Sequence, residues 1–264
     1  MKRQRMIFGR YIAGDSWMHR LDPRAKILAV PLFMAAVFLV DDYTKLLALL
    51  AFTLLLVKST SISLLAVARA VKSLWLLLSF IVLFHLLFDS SGAQLMQVGA
   101  VALYTGGLER GIVAALRMVM FIVFAAVLTF TTQPDQLAQG LGEVLAPLRR
   151  LGVRSDRLTL MLGIALRFVP TLFDEAQRIW KAQVSRGLDL RSQPLQKRAR
   201  LLAALLIPVT AGALRRAVAL AEAMEARGYR LDAPRTRYRS LSWQLRDSCF
   251  LGLFVLPIAA AAWL

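Results

Sequence analysis

Two segments of this sequence place a small residue before an arginine and a glycine after it, and the arginine is the residue through which they could act. Ser-Arg-Gly occupies residues 185–187 and Ala-Arg-Gly occupies residues 226–228. A guanidinium group is planar and permanently charged, and its N–H donors form a rigid fork that suits carboxylates on a protein partner. The small residue before each arginine allows a partner to approach closely. We therefore predict a docking role for six residues, namely Ser185, Arg186, Gly187, Ala226, Arg227 and Gly228.

Ordinary helix capping is the alternative explanation of both segments. Glycine is common just after the last helical residue because it adopts positive φ angles without strain, and a cation near that end interacts favourably with the helix dipole. Capping explains Gly187 and Gly228 almost completely and the two arginines in part. Two such ends in one basic block, each on an unusually long predicted helix, are more than capping alone requires.

Residues suited to catalysis or metal binding are few. The sequence contains no G-x-x-x-x-G-K-S/T motif, so it lacks the phosphate-binding loop of a P-loop ATPase. Cys249 is the single cysteine, which excludes an intrachain disulfide framework. His19 and His85 are the two histidines, so we predict no Cys/His metal site and interpret His85 as a packing residue. No catalytic residue, metal or cofactor is predicted.

The composition is that of a membrane protein. Of the 264 residues, 58% are hydrophobic and the mean hydropathy is +0.60, whereas soluble domains are about 45–50% apolar. Residues 111–132 approach the roughly 20 residues that cross a bilayer, residues 248–264 are a second good candidate, and the three earlier segments are shorter. We predict that all five are transmembrane helices, at residues 27–40, 46–57, 74–88, 111–132 and 248–264.

Lysine and arginine are distributed unevenly between these segments. Residues 1–26 hold seven of them and residues 133–247 hold twenty, whereas residues 41–45 and 89–110 hold one each. Because cytoplasmic loops are enriched in lysine and arginine, we predict a cytoplasmic N-terminus and a cytoplasmic basic block. An odd number of spans then places the C-terminus outside. This topology accounts for much of the net charge of +17.

The basic block is predicted to contain three helices. The first lies near residues 134–150, and the second begins at Ser155-Asp156 and ends at Gly187, a length of roughly 45 Å. The third runs from about residue 196 to 227 with a kink at Pro208. Its apolar half, 201–214, has basic residues on both sides, so we expect it to lie along the membrane surface or to pack on the second helix.

The sequence therefore predicts an all-α, polytopic membrane protein with about five transmembrane helices and a cytoplasmic block of long helices. We divide it into an N-terminal membrane region with about four transmembrane helices (1–132), a cytoplasmic region of long helices (133–240) and a C-terminal transmembrane helix (241–264).

Six segments, in their order along the chain, carry a resemblance to a known family. They are Y-I-A-G-D-S-W-M-H-R-L-D-P-R-A-K (11–26), L-T-F-T-T-Q-P-D-Q-L (128–137), A-L-R-F-V-P-T-L (165–172), S-R-G (185–187), A-M-E-A-R-G-Y-R (223–230) and T-R-Y-R (236–239). Together they closely resemble the transmembrane T component of energy-coupling factor (ECF) transporters. These are ABC-type importers of vitamins and transition-metal ions in the cell (inner) membrane of prokaryotes.

The resemblance implies specific partners. T components couple two cytoplasmic ATPase subunits, a homo- or heterodimer, to a substrate-binding S component in the membrane. In that family two long coupling helices cross, and each ends in an Ala-Arg-Gly motif that engages an ATPase. Ser185–Gly187 and Ala226–Gly228 match these motifs, with Ser185 departing from the pattern in place of alanine.

Other residues in the matching segments have structural interpretations. Asp22 as N-cap and Pro23 at the first helical position begin the first helix, and Arg24 lies at its cytoplasmic end. Arg167 and Pro170 lie in A-L-R-F-V-P-T-L. The apolar neighbours of Arg167 suggest a buried ion pair with an acid on the crossing helix, either Glu222 or Glu225.

Arg117 lies early in the fourth apolar segment. We expect it either to extend toward the membrane surface or to face a polar cavity, because an isolated charge in the membrane is costly.

Two other functional classes were weighed. A polytopic membrane enzyme acting on lipid head groups needs clustered intramembrane acids or histidines, and the acids here lie mostly at segment ends or in the basic block. Binding to nucleic acid would use the positive charge, but the predicted topology already explains most of that charge. We therefore predict no nucleic-acid partner and no enzyme activity, and contact of the basic block with membrane lipids as a secondary feature.

Overall fold

The computed structural model describes residues 11–263, except for residues 13, 41, 61, 99–100, 153, 189–193, 232 and 234–240. The predicted T-R-Y-R motif at 236–239 lies outside the described residues. The α-helices are α1 (Pro23–Leu39), α2 (Tyr43–Ser59), α3 (Leu64–Lys72), α4 (Trp75–Phe88), α5 (Thr105–Thr131), α6 (Pro134–Val144), α7 (Ser155–Ser185), α8 (Leu195–Ala226) and α9 (Leu245–Trp263).

The all-α class predicted from the sequence is confirmed, with two small additions. A 3-10 helix at Ala146–Leu151 follows α6. Two short antiparallel strands, β1 (Gln94–Val98) and β2 (Val101–Tyr104), lie between α4 and α5. The sequence analysis assigned no strands there.

The chain divides at Thr159 and Leu241 into two compact units. The membrane unit contains α1 to α6, the beginning of α7, and α9; the coupling unit contains the rest of α7 and α8. Each unit is described by itself.

The membrane unit is built on α1, which contacts α5, α6 and α9. Phe33 of α1 is buried and stacks on Phe124 of α5 with ring centroids 4.5 Å apart. Phe254 of α9 meets both rings edge-on, at 6.0 and 5.4 Å. Offset-stacked and edge-to-face pairs are the favourable arrangements of aromatic rings. These three phenylalanines therefore join the first, fifth and ninth helices into one core.

Each predicted apolar segment coincides with a helix, but the helices differ in length. α5 has 27 residues and a hydropathy of 2.5, so it meets the requirements of a membrane span; residues Leu201–Ala226 of α8 also meet them, with a hydropathy of 1.6. α3 and α4 qualify as one span bent by 54°. α1 and α2 have 17 residues each. The described chain thus holds two helices able to cross a membrane, or three with the bent pair, and five spans remain a prediction.

The coupling unit consists mainly of two long helices. α7 has 31 residues and α8 has 32, which corresponds to roughly 46 and 48 Å. The predicted end of the second helix at Gly187 and the limits of the third, 196–227, agree with the structure to within two residues. α8 continues through Pro208.

Candidate functional site

The C-terminal end of α7 is closed by two backbone hydrogen bonds of the Schellman type. The N–H of Leu188 donates to the carbonyl of Gln183 at 3.0 Å, and the N–H of Gly187 donates to the carbonyl of Val184 at 3.0 Å. These bonds satisfy two of the carbonyls that a helix end leaves without partners. Arg186 is therefore the capping residue, and Gly187 is the residue just beyond it.

The C-terminal end of α8 repeats the same pattern. The N–H of Tyr229 donates to the carbonyl of Met224 at 2.9 Å, and the N–H of Gly228 donates to that of Glu225 at 2.9 Å. Arg227 takes the place of Arg186, and Tyr229 takes the place of Leu188. The two Arg-Gly segments are thus the same local structure, built twice.

The backbone explains both glycines. Gly187 has φ 90° and Gly228 has φ 78°, a region that side chains with a Cβ enter at a cost of about 1–2 kcal/mol. A Cβ at either position would meet nothing within 4 Å. Conformation, and not lack of space, therefore selects glycine here, as the capping explanation requires.

Capping does not explain what lies around the glycines. Ser185, Arg186, Ala226 and Arg227 are all exposed. Within the described part of the chain, neither guanidinium forms a hydrogen bond or salt bridge. The two long, charged side chains are thus exposed to solvent, with no hydrogen-bond or salt-bridge partner in the described residues.

Ser185 departs from the family's alanine, yet its hydroxyl is occupied locally. Its Oγ donates to the carbonyl of Lys181 at 3.0 Å, one turn earlier in the same helix. Serine and threonine commonly bond to the i−4 carbonyl in this way. The residue therefore presents a small surface, close to that of Ala226.

The two helices meet at an ion pair in the middle of the unit. A guanidinium nitrogen of Arg216 on α8 donates to a carboxylate oxygen of Glu175 on α7. One turn before Arg216, Gly212 is buried, and a Cβ there would lie 2.8 Å from Oε1 of Glu175. A glycine at this position lets the carboxylate lie against the α8 backbone.

Each Arg-Gly tip lies at a distance from this crossing. Eleven residues separate Glu175 from Arg186, and fifteen separate Gly212 from Arg227, or about 16 and 22 Å of helix. Phe173 and Trp180 of α7 line a groove with residues 202–209 of α8, so the end of α7 lies beside the beginning of α8. The two tips are therefore on opposite sides of the crossing.

The groove beside the crossing is open and apolar, with a volume of about 500 Å³. Its walls include Trp180, Leu202 and Leu206, which are 37, 48 and 62% exposed. Exposed apolar patches of this kind mark contact with a membrane or another protein. The coupling unit thus has a charged tip at the end of each long helix and an apolar groove beside the ion pair.

The expected buried pair of Arg167 is not found, which corrects the sequence analysis. Arg167, Glu222 and Glu225 are all exposed, and none of them has a hydrogen bond or salt bridge in the described residues. The pair that joins the helices is Glu175 with Arg216 instead. Pro170 lies exposed inside α7, whose helical hydrogen bonding it interrupts.

Asp22, Pro23 and Arg24 form a separate cluster in the membrane unit. The carboxylate of Asp22 accepts from the N–H of Arg24 at 2.8 Å, and Pro23 is the first residue of α1. Both features were predicted. Arg24 Nη1 also contacts Glu143 of α6 at 2.7 Å, and the N–H of Asp22 donates to Asp247 of α9 at 2.8 Å. The cluster therefore joins α1, α6 and α9.

Lys26 lies beside this cluster and is 1% exposed. Its Nζ donates to Thr132 Oγ1 at 2.9 Å and to the carbonyl of Thr131 at 3.3 Å, at the end of α5. Buried ammonium groups need such partners. The segment L-D-P-R-A-K thus anchors one end of three other helices, a structural role.

The sequence analysis did not predict the long-range ion pairs and hydrogen bonds of the Asp22 cluster or of the helix crossing. Glu143, Asp247, Glu175 and Arg216 lie far from their partners in the chain, so no local spacing could reveal the pairs. Among the described residues, no three His, Cys, Asp or Glu side chains are grouped so that they could hold a metal ion.

Comparison with known proteins decides the family. The profile of a family described as "Cobalt transport protein" (CbiQ) matches residues 14–238. The chain belongs to the CbiQ family. It is also 40% identical over 248 residues to a protein of Listeria innocua named "Energy-coupling factor transporter transmembrane protein EcfT", covering 94% of both chains.

Other relatives have the same name. The Bacillus subtilis protein is 39% identical over 252 residues, with 95% of each chain covered, and the Streptococcus equi protein is 40% identical over 252 residues, with 96 and 94% covered. The CbiQ-family relatives are named as transporter components and not as enzymes. The predicted resemblance to the ECF T component is thereby confirmed, and the chain is a membrane component of an energy-coupling transporter.

Proposed function

We propose that this chain is the energy-coupling scaffold of an ECF-type importer for a vitamin or a transition-metal ion. Two cytoplasmic ABC-type ATPase subunits dock on its two Arg-Gly tips, one subunit on each. A membrane S component that binds the cargo contacts the scaffold. The chain crosses the inner membrane several times, with its N-terminus and the coupling unit on the cytoplasmic side.

The repeated cap is the observation that carries this proposal. Two long helices end in one and the same backbone motif, and each presents an exposed arginine after a small residue. A pair of related or identical ATPases needs a pair of similar docking sites. The position of the tips on opposite sides of one crossing suits two separate subunits.

The crossing gives the scaffold a way to transmit motion. Closure of an ATPase pair on ATP changes the distance between two docked tips. Because Glu175 and Arg216 hold the helices together at one point, a displacement at the tips rotates one helix against the other. The apolar groove beside the crossing moves with the two helices. Through this groove the movement reaches an S component or the membrane lipids.

We assign ATP hydrolysis to the partner subunits. The sequence has no P-loop, so the docked ATPases hydrolyse ATP and this chain conveys the resulting movement. The alternative, an enzyme acting on lipid head groups, is favoured by no specific observation, and the described residues bring no group of three metal-ligating side chains together.

Charge reversal at the tips tests the docking. We expect Arg186→Glu with Arg227→Glu to abolish co-purification with the ATPases while membrane insertion is unchanged. Each single variant should weaken the complex, since loss of one partner of a buried charge pair costs about 2–5 kcal/mol. The matched control is Arg178→Glu with Arg215→Glu, two exposed arginines away from the tips on the same helices. Full complex formation by the tip variant would refute the proposal.

A further inference from the structure

The membrane unit contains a second cavity, far along the helices from the Asp22 cluster. It has a volume of about 520 Å³ and lies between the end of α1, the beginning of α2, the second half of α4 and the first half of α5. Its polar wall is formed by Tyr43, His85, Arg110 and Arg117. Phe38, Ile81, Val113 and Phe121 belong to the apolar wall.

Two arginines line the cavity. Arg110 and Arg117 are seven residues apart on α5, two turns along one face of the helix. The described residues that line the cavity include two arginines and neither Asp nor Glu. Arg117 Nη2 donates to the carbonyl of Val40, the C-cap of α1, at 2.7 Å. This bond fixes the guanidinium in the cavity wall, as one of the two sequence expectations for Arg117 required.

Acids lie at the edge of the cavity. Arg110 Nη1 contacts Asp89 Oδ2 at 2.7 Å; the side chain of Arg110 is 62% exposed and that of Asp89 is 15% exposed. Hydrogen bonds from Ser91, with a smaller contribution from Arg110, hold the pKa of Asp89 below its ordinary value, so Asp89 is ionised at neutral pH. The hydroxyl of Tyr43 donates a hydrogen bond to the carboxylate of Glu109. These contacts orient the rim and leave Arg117 facing the inner part.

His85 adds a polar group from α4. Its Nδ1 lies 2.9 Å from the carbonyl of Ile81. Because a carbonyl only accepts, Nδ1 carries a proton and donates it to this carbonyl. The imidazole is thus held in one orientation on the cavity wall.

The depth of the cavity limits what can enter it. α5 has 27 residues, about 40 Å, whereas the hydrocarbon core of a bilayer is about 30 Å thick. Arg110 therefore lies near the headgroup level at one end of α5, and Arg117 lies about 10 Å deeper. Intramembrane charges mark polar sites between helices, and basic pockets between transmembrane helices on the cytoplasmic side of membranes bind lipid head groups; the same chemistry can act at the opposite face.

We propose that this cavity binds the phosphate headgroup of an anionic phospholipid. Arg110 and Arg117 contact the phosphate, and the acyl chains lie along the apolar wall and the neighbouring exposed side chains of α4, such as Phe80 and Phe84. On the predicted topology the lipid belongs to the outer leaflet. The site is independent of the docking tips and does not rest on the function proposed above.

The test is a lipid titration of the full-length chain in detergent micelles, followed by native mass spectrometry. Short-chain phosphatidylglycerol is the probe, short-chain phosphatidylcholine is the zwitterionic comparison, and inorganic phosphate is the competitor. We expect phosphatidylglycerol to bind more tightly than phosphatidylcholine. Arg110→Gln should weaken its binding by about tenfold or more, the strength of a charge-assisted hydrogen bond.

Two control variants separate this effect from others. Asp89→Asn removes the same ion pair but keeps the arginine, and Arg69→Gln removes an exposed positive charge from α3. Both should bind phosphatidylglycerol at least as well as the parent chain. Equal weakening in Arg110→Gln and Asp89→Asn, equal weakening in Arg110→Gln and Arg69→Gln, or displacement of the lipid by millimolar phosphate would each overturn the proposal.

Discussion

Glu175 of α7 and Arg216 of α8 form the ion pair at which the two long helices of the coupling unit meet. Their side chains are 24 and 36% exposed, so the pair is partly shielded from water. Gly212, one turn before Arg216, allows the carboxylate to lie against the α8 backbone. The two Arg-Gly tips extend from this point on opposite sides. In the proposed mechanism, the two helices therefore rotate against each other about this ion pair.

The strength of this pair can be measured with a double-mutant cycle. We expect Glu175→Gln and Arg216→Gln to be non-additive in thermal unfolding of the purified chain, with a coupling of roughly 0.5–2 kcal/mol. Asp174 and Arg215, which are exposed neighbours on the same helices, form the control cycle and should be additive. Equal coupling in the two cycles would remove the crossing from the account.

The caps predict a difference between two substitutions at Gly187. Alanine is disfavoured at φ 90°, whereas asparagine enters this region more readily. Gly187→Ala should open the last turn and speed hydrogen exchange at the N–H of Leu188 by about 5- to 30-fold, the equivalent of 1–2 kcal/mol, and Gly187→Asn should have a smaller effect. Gly163→Ala, inside α7 where a Cβ meets nothing within 4 Å, is the control. Indistinguishable exchange in the alanine and asparagine variants at Gly187 would contradict the capping argument.

The Asp22 cluster predicts a stability effect at Asp247. This carboxylate accepts from the N–H groups of Asp22 and Gln244, both at 2.8 Å, and is 1% exposed. Asp247→Ala leaves the buried N–H of Asp22 and the partly buried N–H of Gln244 without this acceptor, and an unsatisfied buried donor costs about 1–3 kcal/mol. The melting temperature in detergent should fall clearly, whereas Asp174→Ala, at an exposed position, should leave it nearly unchanged. A neutral Asp247→Ala would show that the cluster is not a structural anchor.

The assignment of chemistry to the partners predicts an inactive isolated chain. Because the sequence has no P-loop, the purified chain should release no phosphate from ATP, and adding its ATPase partners should restore hydrolysis. Robust hydrolysis by the chain without those subunits, undiminished after further purification, would exclude the scaffold role.

Local sequence patterns predicted the helices and their ends well. Asp22 and Pro23 predicted the start of α1, and Gly187 and Gly228 predicted the ends of α7 and α8. These predictions were possible because helix caps depend on residues that are adjacent in the chain. The β1–β2 pair was not predicted because its strands are short, at five and four residues.

Long-range pairs could not be predicted in the same way. Arg167 was assigned to Glu222 or Glu225 from its apolar neighbours, but the helix places it in solvent, and Arg216 of α8 meets Glu175 instead. The residue that meets another across two helices depends on where the helices cross. That position is set by tertiary packing, here by the close approach at Gly212, and leaves no periodic signal in the sequence.

Photo-crosslinking at the tips tests the central claim most directly. A photoreactive amino acid replaces Ser185 or Ala226 in the full transporter complex in cell membranes, and Thr171, exposed on α7 away from the tips, serves as the control position. The account predicts a crosslink to an ATPase subunit from each tip position and none from Thr171. Crosslinks from both tips to lipid alone, or to proteins on the outer face of the membrane, would contradict it.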